Sequence, residues 1–416
     1  MTQRLSSFAL IRVGLVSALT LLLVSFTHAG PTETAPSPAP SPSPSPSPHF
    51  YGWIDTGVTW NTNTPKDNHN FGHLFTDRAN EPLLNQFSLV AEKTIDSSSA
   101  NWDVGGRIWF MYGSDARYTK ALGFLDFATN QRVQPDFPEL YASLHVPLFL
   151  GATVDFKFGK YADPESAETI DPRSNAFYSH SYIFNFGVPF TNLGFLSVTH
   201  VNSVLDLYAG LNRGVNVAFR DNNSSLAFEG GFGLNLLGGN LTTVALTHIG
   251  PETPRDNNDL RFLNDITTTW KVTPKLTFTN DLNLIYDQVL PAWGYGVANY
   301  LSYSLTDWLV LNLRQEVWRD EEGFYVAQFR ANNDALHILK GDTIPFDPSN
   351  LGGGKTTYVE TTFGVTIKPN VPKPLSGLLV RPEVRWDRAL TDSFTPYKQN
   401  TKRDQVTLAI DAVIQF

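Results

Sequence analysis

The segment Gln405–Phe416 alternates. Val406, Leu408, Ile410, Ala412, Ile414 and Phe416 share one parity, and Gln405, Thr407, Ala409, Asp411 and Gln415 the other, with Val413 the exception. Alternate side chains of a strand point to opposite faces, so this segment has one apolar face and one polar face. A soluble edge strand reads the same way, so the rest of the chain has to decide what the apolar face meets.

From Phe50 onward the pattern recurs: roughly ten residues of alternation, then a turn. Ala152, Val154, Phe156 and Phe158 oppose Thr153, Asp155 and Lys157. Leu276, Phe278, Leu282 and Leu284 oppose Lys275, Thr277, Asp281 and Asn283. Val380, Val384 and Trp386 oppose Arg381, Glu383, Arg385 and Asp387. Taken in order, the segments give about 16 strands, an even count as a single-chain barrel requires. They start near Phe50, Asn85, Asp103, Phe137, Ala152, Asn192, Asn202, Ser225, Leu241, Arg261, Lys275, Tyr295, Trp308, Thr356, Leu375 and Gln405.

The connections differ by parity. Those after even-numbered strands are short, as at Gly238-Gly239-Asn240, Thr273-Pro274 and Thr306-Asp307. Those after odd-numbered strands are long, as at 61–84, 113–135, 161–190, 319–355 and 388–404. A strict alternation of short and long is the turn-and-loop asymmetry of an up-and-down transmembrane antiparallel β-barrel. It places both termini on one side. Aromatic residues near strand ends (Trp53, Trp60, Tyr112, Tyr161, Trp270, Tyr286, Trp308 and Trp386) read as interfacial girdles.

Composition agrees. Charged residues are 17% and aromatics 13%, with no cysteine and a net charge of −9. Typical soluble domains carry roughly 25% charge. The negative balance argues against nucleic acid as a partner. Ahead of the barrel, residues 1–29 read as a cleaved secretory signal, with Arg4 and Arg12 before the apolar run Val13–Phe26. Residues 30–49 form a Pro/Ser-rich tract, extended and suited to a periplasmic tether. The barrel is expected over 50–416.

One stretch carries a family resemblance. Asn175-Ala-Phe-Tyr178-Ser-His-Ser181-Tyr-Ile-Phe-Asn185-Phe-Gly187-Val-Pro189-Phe190 resembles a loop motif of the OmpL-like β-barrel porin-2 family of Gram-negative bacteria. Asn85–Lys93, Gly250-Pro251-Glu252 and Trp318–Phe324 resemble further pieces in the same order, whereas His180 stands where Arg is commoner. The terminal Phe416 on its alternating strand resembles the assembly signal of outer-membrane barrels. The resemblance implies an outer-membrane localisation, contact with outer-membrane lipid, recognition by the barrel-assembly machinery and conduction of solutes, with no cofactor. It names no solute.

A barrel of about 16 strands is wide enough for an aqueous lumen. Strand parity points Arg107, Asp155, Lys157, Arg314, Glu316, Arg381, Glu383 and Arg385 inward, among others. An excess of inward carboxylates favours cations weakly. The third long loop, Tyr161–Phe190, carries Asp163, Glu165, Glu168, Asp171 and Arg173 together with Phe177, Tyr178, Tyr182, Phe184 and Phe186. So apolar a loop should fold against something, and the lumen is the natural place. Its acids are expected to face Arg107, Arg314, Arg381 or Arg385 across an opening and so form a pore constriction. The reading is a porin passing small hydrophilic solutes or ions passively. The alternative is a structural or adhesive barrel with a closed lumen and partner-binding loops. Ser179-His180-Ser181 lacks the nucleophile-elbow setting of a hydrolase, and the histidines lack metal-ligand spacing. A homo-oligomer stays open.

Overall fold

The computed structural model describes residues 47–416 apart from 127–130, 221, 290, 327–353 and 392–393. The expected signal and all but the last residues of the expected tether lie outside the described residues. The remainder is a closed barrel of 16 antiparallel strands. In chain order they are β1 (His49–Asn61), β2 (Pro82–Lys93), β3 (Asp103–Gly113), β4 (Gln134–Pro147), β5 (Thr153–Ala162), β6 (Thr191–His200), β7 (Leu205–Asn212), β8 (Ala227–Leu236), β9 (Leu241–Pro251), β10 (Leu260–Lys271), β11 (Leu276–Asp287), β12 (Ala292–Thr306), β13 (Leu309–Asp320), β14 (Thr356–Ile367), β15 (Gly377–Ala389) and β16 (Asp404–Gln415).

Each strand pairs with its sequence neighbours, and β1 closes on β16 with Trp53 opposite Gln415 and Asn61 opposite Thr407. Closure runs to the last residue. The Phe416 N–H donates to the Gly52 carbonyl at 3.0 Å, and the Gly52 N–H returns a bond to the Phe416 carbonyl at 2.9 Å. No strand edge is left unpaired in such a barrel, so every backbone ladder can be satisfied away from water.

Parity sets the two faces. On β16, Leu408 is 46% exposed while its neighbour Thr407 is 1% exposed. Phe158, Leu207, Leu211, Phe228, Phe363 and Val384 likewise stand exposed on the outside. A soluble monomer rarely shows a contiguous apolar patch of more than a few hundred Å². A belt of this kind around a closed barrel is the face that hydrocarbon covers.

Two expectations need correction. Loop lengths do not alternate strictly: the connection after β11 is only 288–291, while that after β14 runs over 368–376. The aromatic girdle is also partial. Trp60, Tyr112 and Trp308 are exposed, but Trp53 and Tyr161 are fully buried and point inward. Their parity is that of Asp55 and Asp155, so the pleat turns them to the lumen whatever their preference for an interface.

Candidate functional site in the lumen

The long loop after β5, residues 163–190 and hereafter L3, folds into the barrel. It leaves the long-loop end at Ala162, descends along the wall and returns to Thr191. Its turn reaches far down: the Ala176 carbonyl accepts from Asn312 Nδ2 and Thr366 Oγ1, both at 3.3 Å. Thr366 lies one residue from the termini end of β14. Arg173 lies on the ring of Trp53, 4.0 Å from its centroid, near the same end of β1.

The wall holds L3 chiefly by its backbone. Glu316 accepts from the N–H groups of Tyr182 and Ile183 at 2.7 and 2.8 Å. Glu383 accepts from those of Tyr178 and Ser179 at 2.9 and 3.2 Å. In the other direction, Arg381 donates to the carbonyls of Pro172 and Asn175 at 2.7 and 2.8 Å. Arg385 donates to the His180 carbonyl. Arg314 donates to the Ser179 carbonyl at 2.7 Å. Buried backbone groups must find partners, and charged partners make the stronger bonds.

One ion pair joins loop and wall side chains directly. Glu168 accepts from Arg314 Nη1 at 2.7 Å and from the Tyr300 hydroxyl at 3.0 Å. Its other oxygen meets His180 Nδ1 at 2.8 Å and the Ser181 N–H at 3.0 Å. Burial alone would raise the Glu168 carboxyl. The Arg314 charge and the His180 bond outweigh it and hold the group near 2. Arg314 also pairs with Glu360 on β14. Arg381 and Arg385 pair within the wall, with Asp411 and Asp387.

Close packing completes the fit. A Cβ at Gly57 would stand 2.5 Å from the Tyr178 ring, so β1 accepts the loop only where it has no side chain. The Tyr178 hydroxyl donates to Asn85 at 2.8 Å. Above L3, the loop over 62–81 and the segment 394–403 close in. Phe75 packs on His180, Phe184 and Phe190. The Tyr182 and Tyr397 hydroxyls bond at 3.1 Å. His73 Nε2 lies 3.0 Å from Asp387, and burial together with Arg385 lowers the His73 ring below its ordinary value.

The residues singled out in the sequence thus do not act as one set. Glu168 meets Arg314 in contact, not across an opening. Asp171 and Arg173 pair with each other inside the loop, at 2.9 Å between Arg173 Nε and Asp171. Arg107 is bound to Glu139 at 2.9 Å and takes no part in holding L3. Asp155 and Lys157 also lie on the opposite side. Asp155 meets His145 at 2.5 Å and His200 at 3.2 Å, and Lys157 stands over the Tyr141 ring. Asp163 and Glu165, on the upper arm of L3, have no basic partner among the described residues. The roles of Glu316 and Glu383 as acceptors for loop N–H groups were not visible in the sequence. Neither was the part played by Tyr178, His180 and Tyr182, though all three lie in the motif that carried the resemblance.

The lumen is unevenly filled. On β13–β16 the inward side chains from Arg314 to Asp320 and from Arg381 to Ala389 are buried. On β10 and β11, Thr267, Thr269, Thr277 and Thr279, nearer the termini end, stay half-exposed, as do Arg107, Asp155, Lys157 and Asp206 on β3, β5 and β7.

The chain belongs to the family described as Putative beta-barrel porin-2, OmpL-like, whose model matches residues 48–416. It is an outer-membrane porin, a channel for passive diffusion. Comparison with curated proteins gives no match. Among solved structures it is similar to Salmonella typhi OmpF in complex with daunomycin, with a TM-score of 0.54, 12% identity and coverage of 89% of this chain and 97% of that one. It is similar to an anion-selective porin from Comamonas acidovorans (TM-score 0.51, 8% identity, 89% and 99% covered). It is also similar to Vibrio cholerae OmpT in its trimer form (TM-score 0.50, 11% identity, 89% and 99% covered). At these identities the likeness is one of fold, and ion preference has to be read from this chain's own lumen.

Proposed function

We propose that this porin passes small cations and the smallest hydrophilic solutes by a narrow route on the β3–β11 side of the lumen. The observation that carries the reading is the uneven filling. L3 is bonded densely to β12–β16, β1 and β2 and meets β10 and β11 by its upper arm, while Arg107, Asp155, Lys157 and Asp206 and the threonines of β10 and β11 near the termini end stay partly open to water. Charges facing a water-filled lumen keep their charge without the penalty of hydrocarbon. Along this route carboxylates outnumber bases, and an acidic lining draws cations. L3, with Asp163, Glu165, Glu168, Asp171 and Arg173, acts as the constriction that limits solute size. Because it is pinned by buried bonds, the limit is fixed.

The outer belt meets outer-membrane lipid, and the barrel-assembly machinery reads the strand ending in Phe416. By analogy with the trimer form of OmpT, the working unit is a homo-oligomer. One observation favours a second reading: the upper half of the lumen is packed, as a closed barrel with partner-binding loops would be.

Single-channel recording in a planar bilayer under a KCl gradient decides. Small, steady openings with a reversal potential on the cation side support the narrow acidic route. An anion-side potential refutes the acidic lining as its determinant. A folded but silent barrel moves the weight to the closed reading.

A further inference from the structure

Beside the network that holds L3 lies a group of acceptors short of donors. Glu165 is 4% exposed, and neither of its carboxylate oxygens has a partner. Asp163, Asp265, Glu229 and Asp281 are the charges that bear on it. Of these four, Glu229 and Asp281 each keep one oxygen without a donor. Asp163 accepts from Asn192 Nδ2 at 2.5 Å and from the Glu165 N–H at 2.8 Å. Glu229 accepts from the Tyr161 hydroxyl at 2.9 Å and from Asn192 and Asn212, both at 3.2 Å. Asp265 accepts from the Ser166 N–H and from Asn283 Nδ2, both at 3.0 Å. Asp281 accepts from Ser166 Oγ at 3.0 Å and from the Ala167 N–H at 2.8 Å.

What remains is acceptors alone: both oxygens of Glu165, Oε1 of Glu229, Oδ1 of Asp281 and the amide oxygens of Asn192 and Asn283. No ion pair joins any of the five carboxylates to a lysine or arginine among the described residues. Lys157 is the base whose charge reaches Glu229.

Buried acceptors without donors are costly, and buried like charges more so. Burial, then the neighbouring carboxylates, push the carboxyls of Asp163 and Glu165 well above the usual range. Left to themselves Asp163 and Glu165 therefore hold protons. A ligand that relieves it must bring positive charge and N–H donors and no acceptors. An alkylammonium group has three donors and none of the other kind. A compact metal ion fits less well, since among the described residues no three carboxylate or imidazole groups converge to hold one. A cation whose charges are spread along a chain matches carboxylates set apart.

We propose that Asp163, Glu165, Glu229, Asp265 and Asp281 form a binding site for a small organic polycation bearing primary ammonium groups, of the diamine or polyamine class. Binding displaces protons from the carboxyls, so affinity rises with pH. The site deepens the cation-favouring reading above and rests on it only for the route of entry, because binding itself does not require conduction.

The test is calorimetric titration of the full-length, refolded protein in detergent with putrescine, between pH 6 and pH 8. The expected result is binding that tightens with pH, by up to about tenfold per pH unit for each proton displaced. E165Q weakens it at least tenfold. E165Q also melts no lower than the parent, because it replaces a carboxyl without a partner by an amide whose N–H groups can reach the unpaired acceptors, so lost binding is not lost folding. D259N, altering an exposed loop carboxylate, binds putrescine as the parent does. Equal affinity in the parent and E165Q overturns the proposal, as does affinity that is flat or falling with pH. Calcium that binds at Glu165 and is not displaced by putrescine overturns it in favour of a metal site. A silent barrel that still binds putrescine through Glu165 sinks the conducting route and keeps the site; a conducting barrel indifferent to putrescine does the reverse.

Discussion

R314M is the substitution that tests how L3 is held. Arg314 donates to Glu168, to Glu360 and to the Ser179 carbonyl, all buried. Methionine keeps much of the volume and removes every one of those bonds. Breaking a buried pair by removing one partner costs about 3–5 kcal/mol. The Glu168 carboxyl, held near 2 by the Arg314 charge together with the His180 and Ser181 bonds, points the same way. The lower end, about 3 kcal/mol, is on the order of a hundredfold in the frequency with which L3 opens.

Hydrogen exchange reads this directly at the amides of Tyr178, Ser179, Tyr182 and Ile183, whose bonds to Glu383 and Glu316 exist only while L3 is seated. In R314M their exchange should rise on the order of a hundredfold, and single-channel conductance should grow. E168Q added to R314M removes one of the stranded charges and should restore part of the loss. The same lock has a pH signature. Because the folded value of Glu168 lies below the unfolded one, its stabilisation is complete above about pH 4.5 and fades as pH falls towards 2. Exchange within threefold of the parent at all four amides, with conductance unchanged, would show that ion pairs do not seat the loop.

Three further outcomes follow from the geometry. Asp115, which accepts from Asn85 and Gln86 beside the short helix 116–119, is pushed up by burial to about 7; its folded value lies above the unfolded one, so protection of that helix should be greater at pH 6 than at pH 8. G57A places a methyl group against the Tyr178 ring and should cost about 1–3 kcal/mol while raising conductance, measured by thermal unfolding and bilayer recording. L408R puts a cation on the lipid face in mid-strand and should cost roughly 2–4 kcal/mol, read from the urea midpoint of the heat-modifiable folded band, whereas V380A on the same face should change it by less.

Much of the barrel was legible because the pleat is local. Parity placed Arg314, Glu316, Arg381, Glu383 and Arg385 on one face from β-period alone, and every observed strand begins within three residues of its expected start. The girdle failed where residue type was allowed to override parity: Trp53 shares the face of Asp55 and was bound to turn inward. What sequence could not show was the seating of L3. Its apolar load said that it must be covered. But Glu316 and Glu383 recognise N–H groups, and Arg381 and Arg385 recognise carbonyls, which every residue offers alike. The acceptor cluster was half visible. Asp163 and Glu165 stand in one loop, but Glu229, Asp265 and Asp281 reach them only through the curvature of the wall.

The wall is built so that it does not need the loop. The β-ladders close without any bond from L3, and Arg381–Asp411 and Arg385–Asp387 are pairs internal to the wall. Arg314 keeps Glu360 when Glu168 is gone. Without L3, Glu316 and Glu383 lose their N–H donors, but they would then face water, where a carboxylate needs no protein partner. The backbone satisfaction that a membrane demands is therefore met by strands alone, and the loop adds a restriction to a frame that stands without it. Replacing 166–186 with a short Gly/Ser linker should leave a folded, heat-modifiable barrel with a larger conductance. Removing the loop also removes Glu168, Asp171 and Arg173, so ion preference should then be governed by the wall alone, where the carboxylates of β8, β10, β11, β13 and β15 should keep it on the cation side. If the shortened chain fails to fold while R314M folds normally, L3 is part of the frame, and the division between wall and plug is wrong.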